Sequence, residues 1–228
     1  MNTAGRMALA TLAFALLHSA LASRAAKQAA VAVAGERRVH AAYRLFYVGQ
    51  SLLTFSLLLG YGRRLPAHTL YRLRGPSALL LRAGQAAGFA HLLLATRPSG
   101  LLRLAGWRNL QAFRRGSSIA AGPVAQGPEE GPDGALQAAG PYRWSRHPLN
   151  FTGMPIFWLT PHMTTRRLAF NLVGSAYFLL GSLHEEARLA AAYGERYRRY
   201  QRSGVPFFWP RPPALQRAQA GVGAAHAY

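Results

Sequence analysis

The sequence predicts an all-α protein that crosses a membrane about five times. Half of its 228 residues are hydrophobic and only 15% are charged. The apolar residues are collected into long, nearly uncharged runs, and a helix that crosses a bilayer needs about 17 to 25 mostly apolar residues. The high hydrophobicity excludes a disordered polycation, although the formal net charge is +20.

Five apolar runs define the expected spans. They lie near residues 7–22, 45–61, 78–96, 148–163 and 168–183. Only four residues join the last two runs, which predicts a helical hairpin, and Pro155 predicts a kink within its first arm.

The rest of the chain completes one expected domain. We expect residues 1–210 to form a single integral-membrane domain. Residues 116–140 are rich in Gly, Pro and Ala and predict a flexible loop. Residues 211–228 lack any periodicity and predict a disordered tail.

Two alternatives account for parts of the hydrophobic pattern. A soluble bundle also contains helices that are apolar all round, but five of them would leave too little amphipathic material to cover them. A cleaved signal peptide would explain residues 7–22, which end in the small-residue sequence Ala-Leu-Ala. The length of that run and the further spans favour a retained helix.

The basic residues predict an orientation in an inner, or plasma, membrane. With five spans, 19 of the 27 basic residues lie on the face that carries residues 23–44, residues 97–146 and the C-terminus, and 7 lie on the other. Positively charged loops stay in the cytoplasm. The long loop and the C-terminus are therefore expected in the cytoplasm. Arg residues spread over several membrane loops also argue against nucleic acid as a partner.

Polar residues are densest on either side of the predicted hairpin. GPYRWSRHPLN precedes it and HEEARLAAAYGERYRRYQ follows it. Because a hairpin returns to the face from which it started, Arg146 and His147 should lie beside Glu185 and Glu186. The pattern fits a salt-bridged collar at the lipid headgroups as well as a ligand site.

Three tyrosines recur at helical spacing after the hairpin. Tyr193, Tyr197 and Tyr200 lie opposite an arginine-rich face, which predicts a cytoplasmic amphipathic helix at the membrane surface. The sequence has no cysteine, and its histidines lack the spacing of metal ligands. It also lacks the glycine-rich motifs of dinucleotide, phosphate-loop and hydrolase sites.

Several segments carry a family resemblance. They are GPYRWSRHP, FWLTPHMTTRRLAF and EEARLAAAYGERYRRYQRSGVPFFWP, with FALLHSALASRAAK and AAYRLFYV nearer the N-terminus. Together they resemble the integral-membrane methyltransferases grouped with isoprenylcysteine carboxyl methyltransferase. The resemblance covers residues 14–210 and is closest to the methanethiol S-methyltransferase branch and its NnrU-type relatives. One departure is Asn150, where family members usually carry tyrosine, and it bears on the identity of the acceptor.

The resemblance implies an S-adenosylmethionine site at the cytoplasmic end of the last helices. Carboxylates would pair with the sulfonium or ammonium, basic groups with the carboxylate, and aromatic rings with the adenine. Glu185 and Glu186 are expected to pair with the sulfonium or ammonium. Arg146 and His147 are expected to bind the cofactor carboxylate. Tyr142, Trp144 or the Tyr193 and Tyr197 pair are expected to contact the adenine. The acceptor would enter through the membrane, near the hairpin, where Gly153 and Pro155 are expected to loosen the packing.

The function that follows is methyl transfer from S-adenosylmethionine to a small or lipophilic acceptor, with thiols such as methanethiol among the candidates. One alternative within the family is carboxyl methylation of a prenylated or other hydrophobic acid. The alternative from another class is a non-catalytic NnrU-type membrane factor. Membrane lipids are the other expected partners.

Overall fold

The computed structural model describes residues 1–97, 100–119, 127–130 and 136–211. Its longer helices are α1 (Thr3–Ala22), α2 (Arg24–Ala34), α3 (Glu36–Arg64), α4 (Gly75–Thr96) and α9 (Thr165–Tyr193). Its shorter helices are α5 (Leu101–Leu104), α6 (Trp107–Arg114), α7 (Pro148–Phe151), α8 (Gly153–Trp158) and α10 (Glu195–Arg202), with a 3-10 turn at Gly140–Arg143. Its strands are β1 (Thr69–Arg72), β2 (Glu129–Glu130), β3 (Leu136–Gln137) and β4 (His162–Thr164). The fold is therefore nearly all-α, as predicted.

Three of these helices match expected membrane spans. Within the described ranges, α1, α3 and α4 are long and apolar enough to cross a membrane, by length and composition. They contain the first three predicted runs, and α3 begins nine residues before its run, at Glu36. The three helices indicate a membrane protein, and the count of five spans stays a prediction.

The fourth expected span differs from a single helix. Residues 148–163 form α7 and α8, which are separated at Thr152, and then the turn into β4. Pro155 explains the break, because it has no N–H to donate to the Phe151 carbonyl and its ring crowds that group. The kink therefore lies at Thr152, and residues 148–158 rise only about 16 Å at 1.5 Å per residue.

The fifth expected span is longer than predicted. Helix α9 has 29 residues and continues ten residues beyond Leu183, the end of the apolar run. It is not among the three helices that meet the length and composition criteria. Glu185 and Glu186 consequently lie on α9 itself, in its last three turns.

A small antiparallel pairing joins two segments that were predicted on the same membrane face. In this pairing Thr69 lies opposite Thr164, and Arg72 lies opposite His162. Strand β1 belongs to the loop between the second and third expected spans, and β4 lies at the tip of the hairpin. Main-chain pairing requires the two segments to meet, which agrees with their predicted location on one side.

The chain forms two compact units. The first contains Met1–Ala78, Ser99–Gly122 and Pro161–Gly174, and the second contains Leu79–Pro98, Pro123–Thr160 and Ser175–Tyr228. The core of the first includes Met7, Leu58, Leu65 and Ala169. The core of the second includes Leu189, Tyr197, Tyr200 and Val205. The single domain over residues 1–210 stays a prediction.

The predicted loop and tail are only partly described. Within residues 116–140, β2 and β3 form an antiparallel pair in which residue 129 lies opposite residue 137. Residues 120–126 and 131–135 of the loop, and residues 212–228 of the tail, lie outside the described residues.

The packing at Gly153 contradicts the expected loosening. Gly153 is buried in α8, and a Cβ atom there would overlap the ring of Phe178. The glycine is thus required by close packing between α8 and α9. The prediction that acceptor access depends on loose packing at Gly153 and Pro155 is wrong in its premise.

We expect Gly153→Ala to lower the free energy of unfolding by about 1–3 kcal/mol, because an added methyl group overpacks the contact with Phe178. Gly181→Ala is the matched control. It lies on α9 with open space where its Cβ would be, so the variant should be neutral or up to about 1 kcal/mol more stable. Denaturation of both variants in detergent measures the difference, and equal stabilities would refute the close-packing explanation.

Candidate functional site

Glu186 lies at the centre of a dense polar cluster in the second unit. The Arg146 guanidinium donates to both of its carboxylate oxygens, with Nε 2.9 Å from Oε1 and Nη2 3.3 Å from Oε2. This two-point pairing fixes the relative orientation of the two side chains. The remaining nitrogen, Nη1, donates to the Val205 carbonyl at 2.9 Å. All three nitrogens of the Arg146 guanidinium are therefore engaged by this chain.

His147 bridges the two acids. Its Nε2 lies 3.0 Å from Glu186 Oε1, its Nδ1 lies 3.3 Å from Glu185 Oε2, and its side chain is 1% exposed. Burial alone would lower the pKa of His147, but the hydrogen bonds and charges of both carboxylates raise it above 6.5. The site therefore favours an imidazolium that donates to both acids.

Helix α10 supplies two further donors to Glu186. The Tyr197 hydroxyl donates to Oε1 at 2.8 Å, and the Gln201 side-chain amide donates to Oε2. The two residues are four positions apart and so lie on one face of α10. The chain reverses into α10 at Gly194, whose φ of 53° is readily adopted only by glycine.

These donors decide the charge state of Glu186. Its burial would raise the pKa, yet the hydrogen bonds from His147, Arg146, Gln201 and Tyr197 lower it to about 2. Burial and the contact with Glu186 raise the pKa of Tyr197, so its phenol stays protonated and can donate. Glu186 is consequently ionised, and both of its carboxylate oxygens accept hydrogen bonds from this chain.

Glu185 forms the open edge of the cluster. Its Oε2 accepts from Asn150 Nδ2 at 3.0 Å, and the same amide nitrogen lies 2.9 Å from Ser182 Oγ. Within the described part of the chain, its Oε1 has no hydrogen-bond partner, and its side chain is 21% exposed against 13% for Glu186. One carboxylate oxygen of Glu185 is thus available to a ligand.

The structure confirms the predicted meeting of Arg146 and His147 with Glu185 and Glu186. Tyr197 joins them directly. Tyr142 is buried, and its carbonyl accepts from the Tyr200 hydroxyl at 2.6 Å.

Two expectations for individual residues change. The Arg146 guanidinium is engaged by Glu186 and Val205, so it does not suit the cofactor carboxylate in this arrangement. Tyr197 and Tyr200 pack inside the second unit beside Leu189, so the tyrosine face of α10 contacts protein. The expected membrane-surface role of that face is not what the packing shows.

Sequence reasoning did not identify Gln201 and Ser182 as site residues. Gln201 could have been found from its spacing, since it follows Tyr197 by four residues. Ser182 lies within the apolar run of α9, where a single small hydroxyl gives no distinctive signal. Asn150 was recognised only as a departure from the family tyrosine, and it is the residue that contacts Glu185.

Acidification should weaken this cluster between pH 4.5 and about 2. The folded-state pKa of Glu186 lies below the ordinary value of 4.5, so its contribution to stability is complete above pH 4.5 and disappears towards pH 2. The raised pKa of His147 acts in the opposite direction, since its contribution is complete below pH 6.5 and is lost as the pH rises. Melting temperatures in detergent should show the Glu186 slope between pH 4.5 and about 2 and the His147 slope above pH 6.5. The acid slope should shrink in Glu186→Gln, and an unchanged slope would contradict the assignment.

Comparison with known proteins connects part of the chain to methanethiol S-methyltransferases. The chain is 38% identical over 71 residues to that of Pseudomonas deceptionensis, which covers 31% of this chain and 27% of the relative. It is 41% identical over 71 residues to the methanethiol S-methyltransferase of Mycobacterium tuberculosis. The match covers 31% of this chain and 29% of the relative. It is 41% identical over 76 residues to methanethiol S-methyltransferase 2 of Bradyrhizobium diazoefficiens. The match covers 33% of this chain and 29% of the relative.

The matched stretch spans less than a third of the length of these curated relatives. No protein-family model matches the chain. No solved structure matches it either. The resemblance to the methanethiol S-methyltransferase branch is confirmed over the matched stretch.

Proposed function

We propose that this protein transfers a methyl group from S-adenosylmethionine to a small or lipophilic thiol at the Glu185 edge of the cluster. The observation that carries the proposal is the sequence identity of 38–41%, over 31–33% of this chain, to proteins named methanethiol S-methyltransferases. The available carboxylate oxygen of Glu185, beside a fully occupied Glu186, supports the location of the donor site.

The chemistry of the donor set suits the proposed cofactor. S-adenosylmethionine carries two cationic groups, and when bound it supplies an electrophilic methyl group. Glu185 Oε1 would accept from or pair with a cationic group. Tyr142, which lies in the 3-10 turn before Arg146, remains the proposed partner of the adenine.

Glu186 and its donors have a positioning role in this proposal. Arg146 and His147 precede α7, Glu186 lies on α9, and Tyr197 lies on α10, so one carboxylate ties three segments together. Groups held in this way stay aligned without losing further conformational freedom when a ligand binds. Glu185, the next residue on α9, is thereby held with one oxygen available.

Two other functions remain as candidates. A purely structural collar in a non-catalytic NnrU-type factor is favoured by the complete occupation of Glu186. Carboxyl methylation of a prenylated or other hydrophobic acid is favoured by the wider family resemblance. The structural factor does not explain why Glu185, beside Glu186, has one oxygen without a partner among the described residues.

Methyl-labelled S-adenosylmethionine tests the proposal. Membranes that contain the protein would be incubated with the labelled donor and, separately, with alkyl thiols and hydrophobic acids. We expect a labelled volatile thioether from the thiols. At donor concentrations below saturation, membranes that carry Glu185→Gln should form it about ten- to a hundredfold more slowly. Labelled ester from the acids would support carboxyl methylation, and no labelled product from any acceptor would favour the structural factor.

We further propose that the protein lies in the inner membrane with residues 116–140 and the C-terminus in the cytoplasm. The distribution of 19 against 7 basic residues supports this orientation. Reporter fusions at Gly127 and Tyr228 should report the cytoplasm, and a fusion at His68, just before β1, should report the opposite side. Opposite locations for Gly127 and Tyr228 would exclude the proposed orientation.

A further inference from the structure

His91 is a half-buried histidine whose two ring nitrogens are buried and have no hydrogen-bond partner among the described residues. It lies on α4, and among the described residues neither Nδ1 nor Nε2 has a hydrogen-bond partner, although both atoms are shielded from solvent. Buried polar side chains are nearly always hydrogen-bonded, because an unmade bond costs free energy. An imidazole left in this state is well placed to receive a hydrogen-bonding group from a ligand.

The His91 ring lies against two aromatic rings. The Trp144 ring stacks on it with centroids 6.3 Å apart, and Phe151 meets it edge to face at 5.7 Å. Trp209 contacts Phe151 in turn at 5.7 Å and is 61% exposed. We refer to His91, Trp144, Phe151, Phe208 and Trp209 as the aromatic cluster.

The aromatic cluster is continuous with the carboxylate site. Phe151 directly follows Asn150, the residue that donates to Glu185. On the other side, Phe207 meets the His147 ring at 5.2 Å, and its neighbour Phe208 contacts Phe151 at 6.0 Å. A ligand at the aromatic cluster would therefore adjoin the proposed site of the methyl donor.

We propose that His91 binds the S–H group of the acceptor thiol and removes its proton. The inference rests on the proposed function and extends it to a catalytic residue and an acceptor site. A neutral imidazole has one nitrogen that can accept from the weak S–H donor. Sulfur also packs favourably against aromatic rings, so this surrounding suits a small alkyl thiol.

The proton transfer supplies the reactive form of the acceptor. The S–H bond breaks, the proton moves to a ring nitrogen of His91, and the electron pair stays on sulfur. The resulting thiolate is the nucleophilic form of a thiol, and its electron pair would form the new bond to the methyl carbon. As that bond forms, the bond from the methyl carbon to the donor sulfonium would break, and its electron pair would leave with the sulfur of S-adenosylhomocysteine. The proton leaves the imidazolium to water after the thioether has departed.

Two variants and a matched control test the role of His91. His91→Phe removes both ring nitrogens, and His91→Gln keeps a hydrogen-bond acceptor that cannot take up the proton. His68→Phe makes the same chemical change at an exposed histidine that is outside the site. Each protein would be purified in detergent and checked for folding by its melting temperature.

The first readout needs no methyl donor. Ethanethiol added to the wild-type protein should produce the ultraviolet absorption of a bound thiolate. The signal should persist in His68→Phe and disappear in both His91 variants. A thiolate signal of wild-type size in a folded His91 variant would overturn the proposal.

The second readout compares acceptors of different acidity. With ethanethiol, His91→Phe should lose about 10²- to 10⁴-fold in kcat, the usual contribution of a general base. With thiophenol, which ionises more readily without help, the loss should be much smaller. Equal losses with the two thiols would show that His91 does not act as the base.

The affinity for S-adenosylmethionine separates the remaining outcomes. We expect it to be unchanged in both His91 variants, and a large loss would place the adenine rather than the thiol at His91, which overturns the proposal. If the wild-type protein binds no methyl donor, the proposed function fails. The thiolate readout would still decide whether His91 ionises a bound thiol. If His91→Phe does not fold, His91→Gln supplies the same tests.

Discussion

Glu186→Gln is expected to lower the free energy of unfolding by about 3–5 kcal/mol, the usual cost of removing one partner from a buried ion pair. Glu186 accepts from Arg146, His147, Tyr197 and Gln201. A neutral amide would leave the Arg146 guanidinium, whose side chain is only 14% exposed, without its counter-charge. The side-chain N–H of glutamine would also face hydrogen-bond donors, none of which can accept a hydrogen bond from it.

Glu195→Gln provides the matched control for that loss. Glu195 lies on α10 and pairs with Arg198 and Arg202, but all three side chains are well exposed. Exposed pairs contribute about 0–1 kcal/mol, so this variant should unfold almost as the wild type does. Thermal and denaturant unfolding in detergent would compare the two. Equal stability losses would show that the Glu186 cluster is not a buried structural centre.

Glu185→Gln should have the opposite profile, with weak donor binding and nearly normal stability. Hydrogen bonds to charged groups contribute about 1.5–3 kcal/mol, so losing the charge at the available oxygen should weaken S-adenosylmethionine binding about ten- to a hundredfold. The amide keeps the shape of the side chain, and its carbonyl oxygen can still accept from Asn150. The measurement is donor affinity at a temperature where the variant is fully folded.

The contrast between the two acids is the informative result. Adjacent residues on a helix point about 100° apart, so Glu185 and Glu186 can face different surroundings. If Glu185→Gln binds the donor as tightly as the wild type, the cluster is a structural collar and the cofactor site lies elsewhere. Loss of stability in Glu185→Gln as large as in Glu186→Gln would also contradict separate roles.

The proximity of the site residues could be predicted from the sequence. A hairpin over residues 148–183 leaves one membrane face and returns to it, which brings its two ends together. Arg146 and His147 do lie within 3.3 Å of Glu186 and Glu185. It also identified the apolar runs that lie in α1, α3 and α4. Such inferences depend on length and periodicity, which a sequence displays directly.

The remaining features depend on contacts between distant residues. A hydrophobic run does not show that α7 ends before Thr152, because the effect of Pro155 falls four residues earlier in the chain. The strand at His162–Thr164 exists because it pairs with β1, about 90 residues before it. The sequence also does not show that the ring nitrogens of His91 lack hydrogen-bond partners among the described residues, because Trp144 and Phe151, which contact the ring, lie more than 50 residues away in the chain.

Equilibrium binding of labelled S-adenosylmethionine to the purified wild-type protein tests the central claim most directly. The site proposed at Glu185 predicts saturable binding of one donor per chain, competition by unlabelled donor, and about ten- to a hundredfold weaker binding in Glu185→Gln. The control Glu195→Gln should bind as the wild type does. Folded wild-type protein that shows no saturable binding, or a Glu185→Gln variant with wild-type affinity, would contradict the claim.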